Sequence, residues 1–533
     1  MNDPTTEHAA VSAAGSAASG AVSSAGTPDG PAADLAPGTG AGAAAETSER
    51  ERPAGGDGPG AWILFVFMMT ALAASAVLLF LPLKPEAVGI VACVLMLALI
   101  FLRMPVAPAT IVPALLGMYA MNGMPLVEST LGSLPYHHIT DWTMSVVPMF
   151  VLMGLLLWRA GLTDSVYRAG RHWLGWLPGG LAVGTNIAGA GLASVSGSSV
   201  GTTYALARIG IPEMLKAGYD KRLALGSVVV AGLPGQLIPP SIMLVIYAGI
   251  AEVPIGPQLY AGIGPGILVA VLFSVMIVIF SVRWARAADG AGTAAAAAGA
   301  SWGERFRSLA GIWPVPLLVA VIVVGMFAGV FTATEAGAAA ALLSLVIALY
   351  WARGRHPLRA VANAAIETVA SVGAIFFMLV GVGALSQMLT LTGISTGFAQ
   401  AVQDMNLGRV EFLLLMTVVY VVLGAIMEPL TIMVLTIPIL MPTLHALEID
   451  VLWYGVFAVF LGEIAVVCPP VGILAFIIHS IAKDPEVNQG QKITLNDVFK
   501  SVGWFLPMAA IVVLTLIFFP QIATWLPEWF ASH

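Results

Sequence analysis

Two Pro-Pro pairs, Pro239-Pro240 and Pro469-Pro470, each interrupt an apolar stretch of helix length, and they lie 230 positions apart. Proline lacks a backbone donor and clashes with the preceding turn, so a double proline breaks a helix where it stands. At the same offset, without gaps, Ile209 meets Ile439, Pro212 meets Pro442, Asp220 meets Asp450, Val229 meets Val459, Gly232 meets Gly462 and Leu244 meets Leu474. That makes 8 identities over the 55 positions from 197 to 251. Most fall on helix breakers or a charge, the residues that set backbone path. The pattern implies one broken-helix unit used twice, the design in which a secondary transporter places its site at the breaks.

Hydrophobic residues form 59% of the 533 positions, only 10% are charged, and mean hydropathy is +0.93. A soluble globular chain carries about 25% charged residues. Apolar stretches of about 20 residues recur from 61 to 520, enough for roughly a dozen crossings of a ~30 Å hydrocarbon core. The expected class is an all-α polytopic membrane protein in the lipid bilayer. Cys93 and Cys468 are the only cysteines, which excludes a disulfide framework and a zinc spacing. Residues 1–58 hold eight acids and two arginines, net −6, which leaves the remainder at −1. No basic patch suggests nucleic acid.

The segment 1–58 is nearly all Ala, Gly, Ser, Thr, Pro and acid. It has too few apolar side chains to offset its ordering entropy and reads as a disordered tail. It lacks the basic n-region of a signal peptide. Ala61 to Leu81 reads as an additional membrane helix, and further spans fall near 86–103, 105–122, 143–160 and 177–194. A first repeat runs over 85–285, a cytoplasmic Ala/Gly-rich linker over 286–310 and a second repeat over 311–520.

Near 194 the apolar pattern gives way to Ser194, Ser196, Gly197, Ser198, Ser199, Gly201, Thr202 and Thr203. From Ser199 to Ile211 there is room for only about 18 Å of helix at 1.5 Å per residue. A re-entrant hairpin over about 195–215 is expected, because irregular backbone at membrane depth survives only where protein or water satisfies it. Its counterpart, over about 427–446, turns at Met427-Glu428-Pro429-Leu430-Thr431. Lys216, Lys221 and Arg222 mark the base of the first hairpin, whereas Glu448 and Asp450 mark the second. Basic residues favour the cytoplasmic side, so the two hairpins should insert from opposite faces, an inverted-topology repeat.

The chemistry available is oxygen without fixed charge. Hydroxyls of Ser194, Ser196, Ser198, Ser199, Thr202 and Thr203, with carbonyls exposed near Gly197, suit a hard cation such as sodium. Close helix packing by small residues is the plainer alternative. Pro239-Pro240-Ser241 and Cys468-Pro469-Pro470-Val471-Gly472 expose carbonyls at the paired breaks, where a packing kink is the alternative. Glu428 and Glu463 are acids in apolar sequence, costly unless neutralised; Glu428, in a hairpin turn, is the better ion or proton candidate. Glu335 belongs to a capping box, Thr332-Ala-Thr-Glu335. His137, His138 and Asp141 read as loop polarity rather than a metal site. No convergent acid, base or nucleophile points to an enzyme.

At these residues the chain resembles the large membrane subunit of tripartite ATP-independent periplasmic (TRAP) transporters, the DctM-like permeases. Pro148 to Gly154, Ser196-Gly-Ser-Ser199, Ile211-Pro-Glu-Met214, Gly218-Tyr-Asp220, Leu237-Ile-Pro-Pro-Ser241, Thr334-Glu-Ala336 and Pro469-Pro-Val-Gly472 match that family's motifs in order. The resemblance covers roughly 85–520. It implies a sodium-coupled elevator carrier in the bacterial inner membrane, importing a small organic anion. Its implied partners are a periplasmic substrate-binding protein and a small four-helix membrane subunit; sodium is its coupling ion, with no other cofactor. Sodium is then expected near Ser196, Ser198 and Ser199, and near Cys468 and Gly472. The chain departs from the pattern at Cys468, where the family has Thr, at Glu428-Pro429, where it has Asp, and at Pro234 and Gln236. A carrier without a binding protein, or one coupled to protons, remains the alternative.

Overall fold

The computed structural model describes residues 69–70, 72–285, 301–351, 357–425, 427–469 and 472–532, and not the side chains of 137–139 and 284–285. The tail 1–58 and the linker residues 286–300 lie outside these, as do Pro470 and Val471. Of the helix expected over 61–81, residues 69–70 and 72–78 are helical.

All described regular elements are helical. The amino-terminal group comprises α1 (Pro85–Phe101), α2 (Val106–Asn122), α3 (Met124–Thr140), a 3-10 turn (Trp142–Ser145), α4 (Val146–Arg159) and α5 (Leu162–Leu174). Then come α6 (Gly180–Ser196), α7 (Ser199–Lys216), α8 (Lys221–Val230), a 3-10 turn (Pro234–Gln236), α9 (Ile242–Ala251) and α10 (Ile255–Ala285). The middle holds α11 (Trp302–Leu309), α12 (Pro314–Phe327), α13 (Ala333–Trp351), α14 (Pro357–Thr392) and α15 (Ile394–Asp404). The chain closes with α16 (Arg409–Gly424), α17 (Pro429–Ala446), α18 (Val451–Ala465), α19 (Ile473–Ile481), α20 (Pro485–Asn488), α21 (Leu495–Gly503), α22 (Leu506–Phe518) and α23 (Gln521–Ala531).

Among the described residues six helices are long and apolar enough to cross a membrane, or seven if the bent pair α11–α12 is one span. The expected dozen is not reached because Pro and Gly cut the remaining apolar sequence into shorter pieces, such as α9 with 10 residues and α18 with 15. α3 and the amphipathic α5 were not anticipated, since their sequences are too polar to read as spans. Asp141 caps the 3-10 turn, accepting from Thr143 N at 2.9 Å. The Thr332–Glu335 capping box forms as its spacing indicates.

The 36-residue α14 packs along α2 and α4, and α13 lies on α4. In the interior α9 and α10 meet α18. There Tyr247 Oη donates to Val451 O (2.7 Å) and Gln258 Nε2 to Leu452 O (3.1 Å), beside the fully buried Trp453 and Phe457. Leu342, Val346 and Tyr350 form an exposed stripe at helical spacing on α13, the surface a chain solvated by lipid leaves apolar.

Candidate functional site

The first small-polar run sits at the tip of a helical hairpin. Its arms are α6 and α7, joined at Gly197 (φ +65°) and Ser198. They run antiparallel: Ser196 and Thr202 hydroxyls lie 3.2 Å apart near the tip, and Gly210 packs on Thr185 further down. The returning arm is longer than expected, 18 residues, because Pro212 is accommodated inside α7 rather than ending it. The first arm begins at Gly180, so the span expected at 177–194 is that arm.

The hydroxyls at the tip divide by role. Ser198 Oγ caps α7, accepting from Gly201 N at 3.1 Å, and Ser194 Oγ donates to Gly191 O at 3.0 Å. Ser199 and Thr203 are buried, and Thr203 Oγ1 has no hydrogen-bond partner. The first break folds directly against this tip. A Cβ at Gly235 would fall 2.4 Å from Ala190 O and 2.7 Å from Ser194 N, and one at Gly232 would fall 3.2 Å from Ser199 Cα. Glycine is required there because backbone meets backbone. Gln236, fully buried, places its amide so that Oε1 accepts from Ser198 N (3.2 Å) and Ser199 N (2.8 Å). It thus satisfies two donors that a helix start leaves open. Pro239 and Pro240, both buried, are joined by a cis peptide. Ser241 caps α9, accepting from Leu244 N at 3.2 Å while donating to Gln236 O.

The second half places its residues in a parallel way. α16 and α17 form the other hairpin, tied by Tyr420 Oη and Thr436 Oγ1 at 2.8 Å. Glu428 precedes Pro429 at the start of α17; its side chain is exposed, whereas Pro429 and Thr431 are buried. A Cβ at Gly462 would meet Pro429 at 2.9 Å, and one at Gly424 would meet Ala465 at 1.9 Å. At the 230-residue offset these are the partners of the Gly232–Ser199 and Gly235–Ser194 contacts. Asp220 caps α8 and Asp450 caps α18 at the same offset, each accepting a backbone N–H at 2.7 Å. Beyond α18, buried Cys468 donates its N–H to Ile464 O (3.0 Å). Pro469 is exposed, and a Cβ at Gly472, whose φ is +53°, would fall 3.1 Å from Val467 O and 3.4 Å from Cys468 O.

Three residues at the site carried little signal in the sequence. Gly154 on α4 abuts the first tip, since a Cβ there would lie 2.4 Å from Val195 O. Gln236 stood out only as unusual. Glu463 is fully buried, with Ser199 approaching its carboxylate. Among the described residues no hydrogen bond joins the first tip to Glu428 or Cys468, and no group of three His, Cys, Asp or Glu residues could hold a metal. The arrangement offers hydroxyls and one buried carboxylate, oxygen groups of the kind that can hold an alkali cation.

Residues 93–522 match the sequence profile of the family described as Tripartite ATP-independent periplasmic transporter, DctM component. The C4-dicarboxylate TRAP transporter large permease protein DctM of Vibrio cholerae is 30% identical over 72% of this chain and 86% of its own length. The ectoine TRAP transporter large permease protein TeaC of Halomonas elongata is 29% identical over 81% of this chain and 97% of its own. In fold, the chain is similar to the crystal structure of the Alcanivorax borkumensis YdaH transporter, with TM-score 0.52 and 14% identity over 84% of this chain and 99% of that one. The chain is therefore a multi-pass membrane protein and a transporter permease rather than an enzyme, and it belongs to the DctM family of TRAP transporter large subunits.

Proposed function

We propose that this chain is the large permease subunit of a sodium-coupled, binding-protein-dependent carrier that imports a small organic anion across the bacterial inner membrane. The observation that carries the proposal is the seating of each hairpin tip on the helix break of the same half, matched at an offset of 230 residues. Such seating puts hydroxyls and opened carbonyls at one place, as a midplane ion and solute site needs. In this reading the two halves are inverted repeats. A mobile domain holding both hairpins moves against a scaffold by an elevator mechanism, and a small four-helix subunit completes that scaffold. Sodium is bound near Ser196, Ser198 and Ser199, and in the second half near Cys468 and Gly472.

The relatives bear on the cargo. The Vibrio permease is named for C4-dicarboxylates and the Halomonas one for ectoine, both small solutes that carry carboxylate. No arginine lies in either hairpin turn, so recognition rests on backbone donors and on the binding protein.

The test is solute uptake into proteoliposomes holding this chain, a small membrane subunit and a binding protein, with and without an inward sodium gradient. Uptake that requires both the gradient and the binding protein is expected. Uptake with a proton gradient alone would shift coupling to a carboxylate, and uptake without the binding protein would refute the tripartite reading.

A further inference from the structure

α18 touches both hairpin tips at consecutive residues. Gly462 packs on Pro429 of the second hairpin, and the next residue, Glu463, has the Ser199 side chain of the first hairpin beside it. Glu463 is 0% exposed, and neither carboxylate oxygen has a hydrogen-bond partner. The Ser199 hydroxyl approaches without forming a well-shaped hydrogen bond, and among the described residues no Lys, Arg or His forms an ion pair with Glu463. An ionised carboxylate in that position is costly, and an apolar side chain of similar volume would serve packing at least as well. Its placement therefore calls for a neutralising partner, a bound cation or a proton, that the polypeptide's own basic side chains do not supply. Leu233 stands at the matching position of the first half, so the carboxylate belongs to one half alone.

We infer that Glu463 is a ligand of a coupled sodium ion, held with the Ser199 hydroxyl where both hairpin tips pack on α18. The inference rests on the sodium-coupled reading above and gives it a specific site, distinct from Glu428. Hard monovalent cations take oxygen ligands, and one carboxylate with hydroxyls and carbonyls neutralises the ion's single charge. A loaded site is then electrically neutral, whereas in an empty one the buried carboxyl is neutralised by a proton instead. Since the ion would bridge residues from both halves, loading would tie the first tip to α18.

The test is equilibrium binding of radioactive sodium to the purified full-length chain in lipid nanodiscs, for the wild type, Glu463→Gln, Glu463→Asp and Ser199→Ala. Thermal melting checks that each variant is folded. Saturable binding by the wild type is expected, with Glu463→Gln losing one bound ion per chain or at least ~10-fold in affinity. Ser199→Ala and Glu463→Asp should weaken binding less. Wild-type sodium binding in folded Glu463→Gln would overturn the site while leaving the sodium-coupled reading intact. Absence of sodium binding by the wild type would overturn that reading and the site together. If Glu463→Gln does not fold, unchanged affinity in both Ser199→Ala and Glu463→Asp overturns the site.

Discussion

Replacing Gln236 by Leu isolates the contribution of one side chain to the first hairpin tip. The two residues are close in size, so the buried volume is nearly kept while both acceptor interactions with Ser198 N and Ser199 N disappear. Ser198 is exposed and water can take its N–H, but Ser199 is buried and its N–H is left without an acceptor. Leaving a buried donor unpaired costs about 1–3 kcal/mol. If that cost falls on the local closed state, the tip opens ~5 to ~160 times more often, as RT ≈ 0.59 kcal/mol dictates. Hydrogen–deuterium exchange read by mass spectrometry should show this acceleration in peptides spanning 194–203, with the 429–446 peptides unchanged. Equal acceleration in both hairpins would mean general loosening, and no acceleration would mean that Gln236 does not hold the tip; either result refutes the argument.

Gly424→Val should prevent the second hairpin from seating, because even its Cβ would collide with Ala465 Cβ, and overpacking alone costs about 1–3 kcal/mol; a lower melting temperature and lost uptake are expected, and wild-type values for both would show that the backbones can separate. Arg159→Met strands Glu367, its ion-pair partner between α4 and α14, at a cost of up to about 3–5 kcal/mol for a buried pair and less here because Glu367 is partly exposed. The double variant with Glu367→Met should recover most of the lost thermal stability, and failure to recover would deny the pairing. Asp450→Ala removes the cap on α18 and should cost about 0.5–2 kcal/mol in denaturant titrations. Cys468→Thr replaces a thiol with a harder oxygen ligand, and a lower sodium concentration for half-maximal uptake is expected; an unchanged value would place the second ion elsewhere.

The helical class, the first Pro-Pro break and the turn residues of the first hairpin were legible because prolines, glycines and small polar runs act locally on the backbone. The offset carried further information, since residues that recur at 230 positions mark contacts as well as bends: Gly232 and Gly462 each pack on the first turn of a hairpin's second arm. What the sequence concealed was long-range. Gln236 is an ordinary polar residue until the chain brings Ser198 and Ser199 to it. Glu463 and Glu428 look alike among apolar neighbours, and only packing separates the exposed one from the buried one. The first arm of the first hairpin reads as a separate span at 177–194, because an apolar run of that length looks the same whether it crosses or returns at its end. α3 and α5 escaped notice for the opposite reason, their polar faces lacking the apolar run by which spans are found.

The glycine contacts at the two tips have a mechanical consequence. At Gly235 and Gly424 the neighbouring chains approach with nothing larger than an alanine methyl between them. Side chains that change rotamer let packed helices slide; bare backbone offers no such bearing. Each hairpin tip and the break beneath it are therefore clamped into one rigid piece, and any displacement large enough to carry a solute has to occur at other surfaces. The surface to watch is where α4, with Gly154 pressed on Val195, meets the first hairpin. There the contact is backbone on backbone, a joint stiff at that point.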